Sequence, residues 1–282
     1  MRQGLAQAAR LESRAAEVAF VCASSVVKGE RTEETLQGIA GFMGSEPLES
    51  RKGKCFKLNI SGLPSLFIKV LPDDAKAKNE ADYARKLGDA GISCPKALAV
   101  EGPVLVRRFI EGKTATEELD MAVSWGDIGY AASLCSKVGD LLAKAHNLDS
   151  AGGWGLVIND LNLRNFIVSG ANSISLIDLA DAGEGDQAKD LGGLAVHILT
   201  HRPGFTEASE AMADSAYKGY FGVAKWPGVR AKALQGLKDA LLEAEIRRHS
   251  PGLSGLAGEF LKHLEETVRD KEEGAGHGAQ HK

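Results

Sequence analysis

The sequence predicts an α+β protein, a small β-rich portion followed by a mostly helical one. Three observations predict it. Apolar runs of strand length, separated by turn residues, cluster between residues 55 and 109. From Ile128 onward most apolar residues recur at helical spacing. A single hairpin signal interrupts that helical part: residues 166–168 and 174–177 are short β-rich runs around Ser169-Gly170-Ala171-Asn172-Ser173. Its open ends are polar, with Asp160 and Asn165 before the first run and Asp178 after the second. A hairpin would bring these to one rim, and two carboxylates with an amide suit oxygen-ligated Mg²⁺ and a hydroxyl nucleophile.

Taken in order, residues 3–27 are Ala-rich, with Leu5, Ala9, Leu11, Ala15, Val18, Phe20 and Val21 near helical spacing. They predict a helix packed on the domain, followed by a shorter helix over 32–42 capped by Thr32, so 1–42 is expected to be a helical extension. Gly41, Gly44, Pro47, Ser50 and Gly53 then mark a turn-rich loop, with Arg51, Lys52 and Lys54 beside it. Residues 55–60 and 66–71 read as paired strands. Lys69 lies inside the second, and an ammonium among apolar residues needs either an exposed edge or a carboxylate partner. The helix expected over 75–90 offers Glu80, with Asp82 as fallback on another face.

Strands over 97–100 and 103–109 flank the turn Glu101-Gly102, and a boundary is expected near Gly112. This divides the chain into 43–112, 113–270 and a charged, Gly-rich tail, 271–282, read as disordered. A long buried helix is expected over 128–147, where His146 reads as a packing or capping residue. Gly152-Gly153-Trp154-Gly155 reads as a turn. Helices follow over 191–200, 207–220, 229–248 and 253–270, the third with Leu234, Leu237, Leu241 and Leu242 as its apolar stripe. Asp190 is expected to support the loop around Asp160 or to cap a helix.

Composition bounds the partners. The chain has 282 residues, 44% apolar and 26% charged, enough for one large domain or two lobes. A net charge of -4 gives no reason to expect nucleic acid. Cys22, Cys55, Cys94 and Cys135 are scattered without a C-x-x-C pair, which argues against zinc and a disulfide framework and for a reducing compartment. The longest apolar patch, residues 15–27, contains Glu17 and two serines and is too short and polar to span a bilayer. With no secretory signal in view, the expected location is the cytoplasm.

The run Asp160-Leu161-Asn162-Leu163-Arg164-Asn165-Phe166, followed by Ile177-Asp178-Leu179-Ala180, resembles the catalytic and metal-binding segments of the protein-kinase-like superfamily. It is most similar to the atypical branch of aminoglycoside and choline phosphotransferases, lipopolysaccharide core kinases and RIO-type kinases. Ile158-Asn159 stands where H-R or H-G is usual, and Leu179-Ala180 where F-G is usual.

The resemblance implies a bilobal fold with a β-rich N-lobe and a helical C-lobe, and transfer of the γ-phosphate of ATP to a hydroxyl with Mg²⁺. It implies Asp160 as the group that orients the acceptor hydroxyl, Asn165 and Asp178 as metal ligands, and Lys69 fixed by Glu80 on the α- and β-phosphates. Backbone groups near Arg107, Arg108 and Phe109 would hold adenine. A phosphate-covering loop would fall at the turn-rich stretch, although no G-x-G-x-x-G is present. Only about a dozen residues follow Asp178 before the next helix, and no A-P-E anchor follows. This favours a small-molecule or lipopolysaccharide-type acceptor over a protein, with peripheral membrane contact left open. The alternatives are a RIO-like protein Ser/Thr kinase and a nucleotide-binding pseudokinase scaffold.

Overall fold

The apolar runs between residues 54 and 108 form one antiparallel sheet. In the computed structural model, which describes residues 17–21, 42–48, 54–170 and 173–277 (backbone only from 269), the chain divides into two units. The first is Met1–Glu111 with Ser175–Asp181, and the second is Gly112–Ile174 with Ala182–Lys282. The division falls beside Gly112. The return of Ser175–Asp181 to the first unit is not visible in sequence order.

The first unit contains β1 (Phe42–Leu48), β2 (Lys54–Ile60), β3 (Leu66–Val70), α1 (Asp74–Asp89), β4 (Ala97–Glu101) and β5 (Val104–Arg108). The sheet order is β1-β2-β3-β5-β4. β1 corrects two expectations, since Phe42 was assigned to a helix and Gly44 and Pro47 to a loop. The ladder to β2, from Phe42↔Ile60 to Leu48↔Cys55, makes a strand of a sequence without alternation. An irregularity between Phe42 and Gly44 absorbs the misfit, and Pro47 is tolerated because β1 is an edge strand. The helix expected over 3–27 is described only at 17–21, which are helical; the remainder, residues 32–41 and Gly53 lie outside the described residues.

One face of this sheet buries Leu58, Ile60, Leu66, Ile68, Val104 and Val106, with Ala19 packed against them. The opposite face presents Phe67 and Lys69 on β3 beside Arg107 and Leu105 on β5. α1 starts at Asp73, whose side chain accepts the backbone N–H of Lys76, and it sets Ala77 against Leu71, Leu105 and Ala180.

The second unit runs from β6 (Lys113–Thr114) and α2 (Ala115–Ser124) to α3 (Ile128–His146), then β7 (Ser150–Ala151) and β8 (Trp154–Val157). A 3₁₀ turn at Leu163–Asn165 leads into β9 (Phe166–Ser169), and β10 (Ser173–Leu176) carries the chain toward the first unit's segment. After β11 (Gly183–Asp186) come α4 (Gln187–Leu199), α5 (Glu207–Val223), α6 (Val229–Arg248), α7 (Leu253–Leu256) and α8 (Gly258–His277).

α2 was not expected; its start is a capping box between Thr114 and Glu117. Trp154–Gly155, read as a turn, belongs to β8, which pairs with the glycine-bearing β11 from Gly183↔Val157 to Asp186↔Trp154. α4 begins four residues earlier than expected because Asp186 caps it through the N–H of Ala188. The single helix expected over 253–270 is two helices broken at Ala257. The second continues to His277, into the expected tail, because Lys271, Glu272, Glu273 and Ala275 are good helix formers.

Two helix pairs in this unit approach closely at glycines. A Cβ on Gly139 of α3 would overlap the carbonyl of Ala216 on α5, and one on Gly219 of α5 would overlap Ser136. A Cβ on Gly192 of α4 would strike the carbonyl of Gly236 on α6, and one on Gly236 would strike Ala188.

Candidate active site

In the first unit, the lysine buried in β3 has found carboxylates. Lys69 Nζ lies 2.7 Å from Glu80 Oε2 and 2.6 Å from Asp178 Oδ1. Lys69 is 7% exposed and Glu80 3%, so this ion-pair cluster is largely removed from water. Burial alone would lower the lysine pKa, but the charges and hydrogen bonds of Glu80 and Asp178 outweigh it and hold the ammonium above its ordinary value. Asp82, the fallback partner, is exposed and pairs with Arg85.

Asp178 has φ 63°, a left-handed conformation uncommon for a non-glycine residue. The residues after it are anchored: Asn79 Nδ2 donates to the carbonyl of Ala180 at 3.1 Å, and Lys76 pairs with Asp181 at 2.6 Å. Leu179 and Ala180, which replace the usual F-G, are both buried. Arg107 is buried and Arg108 exposed. The N–H of Phe109 donates to Ser65 O at 2.8 Å.

In the second unit, the loop after β8 is fixed by one buried carboxylate. Asp190 accepts the backbone N–H of Ile158 at 2.5 Å and of Asn159 at 3.0 Å. His146 Nε2 stands 3.2 Å from the same carboxylate, and its Nδ1 is 2.6 Å from the Tyr220 hydroxyl. Because a carboxylate only accepts, Nε2 carries the proton. Asp190 thus supports the loop, while Asp186 caps the helix. Because Ile158 and Asn159 are held by backbone groups, their departure from the usual H-R leaves this support intact. Asn159, like Asp178, is left-handed, at φ 67°.

Asn162 caps the 3₁₀ turn that follows, accepting the N–H of Arg164 at 2.9 Å. Asn165 Nδ2 donates to the carbonyl of Asp160 at 2.9 Å, which ties the two predicted site residues together. The Asp160 carboxylate itself is exposed.

Asp160 lines a cavity of about 220 Å³ within this unit. Its other walls include Lys189 and His197 of α4 and Asp239, Glu243 and Arg247 of α6. Burial, then the charges of Arg248 and Arg247, push the His197 pKa down to about 4, against the pull of Asp160. His197 is therefore neutral at pH 7. None of these five residues was singled out from sequence, but a signal existed. Residues 189, 193 and 197 and residues 239, 243 and 247 each recur at +4 spacing, one helix face apiece.

The donor chemistry fits a hard cation such as Mg²⁺. Asn165 spends its N–H on Asp160, so its amide oxygen remains available, and only one Asp178 oxygen is taken by Lys69. Among the described residues no group of three or more His, Cys, Asp or Glu would hold a metal alone.

No protein-family model matches the sequence, and no curated protein matches it. The fold does have solved relatives. Over 86% of this chain and 96% of the other, it is similar to the amicoumacin kinase hAmiN, solved with AMP-PNP, Ca²⁺ and Ami, at 15% identity and TM-score 0.57. It is also similar to the macrolide 2'-phosphotransferase MphH from Brachybacterium faecium, at 13% identity and TM-score 0.50, over 82% and 96% of the two chains. With its small antiparallel sheet and its helical second unit, the chain has an α+β kinase-like fold.

Proposed function

We propose that the protein is a phosphotransferase that moves the γ-phosphoryl group of ATP to a hydroxyl of a small polar molecule. The observation that carries this reading is Lys69, buried and shared between Glu80 and Asp178. A desolvated ammonium fixed by two carboxylates is poised to grip the α- and β-phosphates without reorganising. Asp160 orients the acceptor hydroxyl and takes its proton as the bond to phosphorus forms, while the γ-phosphoryl group leaves ADP. Asn165 and Asp178 would hold Mg²⁺, which supplies charge to offset the phosphate oxygens.

Two features favour a small acceptor. Only Leu179 to Asp186 separate Asp178 from α4, too short a segment to position a peptide. The cavity beside Asp160 is small and walled mostly by charged or polar groups, which suits a sugar or amino-alcohol fragment better than an apolar chain. A lipopolysaccharide-type sugar fits this chemistry, and aqueous placement in the cytoplasm follows the same reading. Among the described residues no helix is long and apolar enough to cross a membrane.

The test is transfer of label from γ-labelled ATP with Mg²⁺ into a fractionated extract, wild type beside Asp178→Ala. Label in small-molecule or glycolipid fractions that disappears in the variant is expected. Label confined to protein would replace this reading with a protein kinase, and nucleotide binding with no transfer would replace it with a scaffold.

A further inference from the structure

The first unit contains a second buried cation that the ion pairs do not use. Arg107 is 6% exposed, forms no ion pair among the described residues, and its buried Nε has no hydrogen-bond partner. Its guanidinium carbon lies 4.4 Å from the centre of the Phe67 ring, and stacking there holds the group in place. Burial of an unpaired guanidinium is costly, and an unsatisfied buried donor calls for a partner that arrives from outside the chain.

Strand register says where that partner would lie. Lys69 faces Leu105 and Phe67 faces Arg107, so Arg107 sits two residues from the level of Lys69 on the same sheet face, toward Phe109. At roughly 3.3 Å per residue the offset is about 7 Å. If Lys69 holds phosphates, this offset reaches the base end of the nucleotide. A guanidinium only donates hydrogen bonds. Adenine offers an amino donor at position 6, whereas a 6-oxopurine offers O6 beside N7, two acceptors matched to the guanidinium fork.

We propose that Arg107 reads the purine base and makes 6-oxopurine triphosphates, GTP and ITP, better phosphate donors for this protein than ATP. The inference rests on the nucleotide site proposed above and refines which base it prefers. The rival role for Arg107 is charge balance alone, because Glu80 and Asp178 together carry one more charge than Lys69.

Calorimetric titration with ADP, GDP and IDP separates these roles and needs no turnover. Wild type is expected to bind GDP and IDP roughly 5- to 150-fold more tightly than ADP, the discrimination of one good guanidinium–base pair. In Arg107→Met the three nucleotides should converge. Arg107→Lys, which retains a donor without the fork, should fall between. A wild type that favours ADP or treats all three alike would overturn the proposal, whatever the variants do. So would an Arg107→Met protein that weakens all three equally, the result expected of charge balance. Failure of wild type to bind any of them would instead overturn the nucleotide reading itself.

Discussion

At the scale of single residues, the two clusters make separable demands. On the proposed mechanism Asp160 acts on the acceptor, so Asp160→Ala should lower turnover by roughly 10²–10⁴, the range of a positioned acid–base group, with nucleotide affinity largely kept. Rate and calorimetric affinity measured on one preparation check this, and unchanged turnover would remove Asp160 from the chemistry. His197 gives a pH signature. Folded, it stays neutral down to about pH 4, whereas in the unfolded chain it takes a proton near its ordinary value of 6.5. The unfolded state therefore binds more protons between these values, and stability present above 6.5 is lost as pH falls toward 4, by at most about 3 kcal/mol. Urea midpoints of wild type and His197→Gln at pH 7 and pH 4.5 should show the smaller acid loss in the variant; equal losses would contradict the depressed pKa. Lys69 was legible because an ammonium in an apolar run demands explanation, and Glu80 because its helix followed directly. Arg107 was picked out only for its backbone. Its burial depends on strand register, which local sequence does not display.

At the scale of elements, the contacts that fix the loop and the cavity are sharp enough to test. Asp190→Ala would strand the N–H groups of Ile158 and Asn159 and leave His146 without its acceptor. Each buried unsatisfied group costs about 1–3 kcal/mol, so a loss of several kcal/mol in urea unfolding is expected, together with slower turnover. Gly236→Ala would push a methyl into the carbonyl of Ala188 and force α4 and α6 apart, costing about 1–3 kcal/mol. A thermal melt indistinguishable from wild type would mean that the pair yields without cost. The strong periodicities were readable: β2, β3, α1, α3 and α6 lie within a residue or two of their expected bounds. Among the elements that escaped, the strands β1, β8 and β11 are rich in glycine or interrupted by proline. They become strands through ladders, β1 with the neighbouring β2 and β8 with the more distant β11, a tertiary effect that overrides local preference.

At the scale of the whole molecule, nucleotide binding and stability are linked by mass action. A purine nucleotide with Mg²⁺ at about a hundred times its dissociation constant should stabilise the chain by about 2.7 kcal/mol. The Asp178→Ala protein should lose the Mg²⁺-dependent part of that gain; an identical melting shift in both proteins would argue against Asp178 as a cation ligand. The fold was recognisable from fewer than twenty residues, yet the two solved structures named above are only 15% and 13% identical to it.

The seating of α6 has a consequence for how such a chain diversifies. The helix rests on α4 through Gly236 and buries Ala233, Leu237 and Leu241, whereas Asp239, Glu243 and Arg247 line the cavity. Gly236 both seats the helix and lines the cavity, but the charged lining positions are not the ones that anchor it. Substitution at positions 239, 243 and 247 can redraw the charge pattern offered to an acceptor while the helix keeps its seat. If the proposed function holds, selection could then move the protein from one hydroxyl compound to another in single steps, each intermediate still folded and still able to bind its phosphate donor.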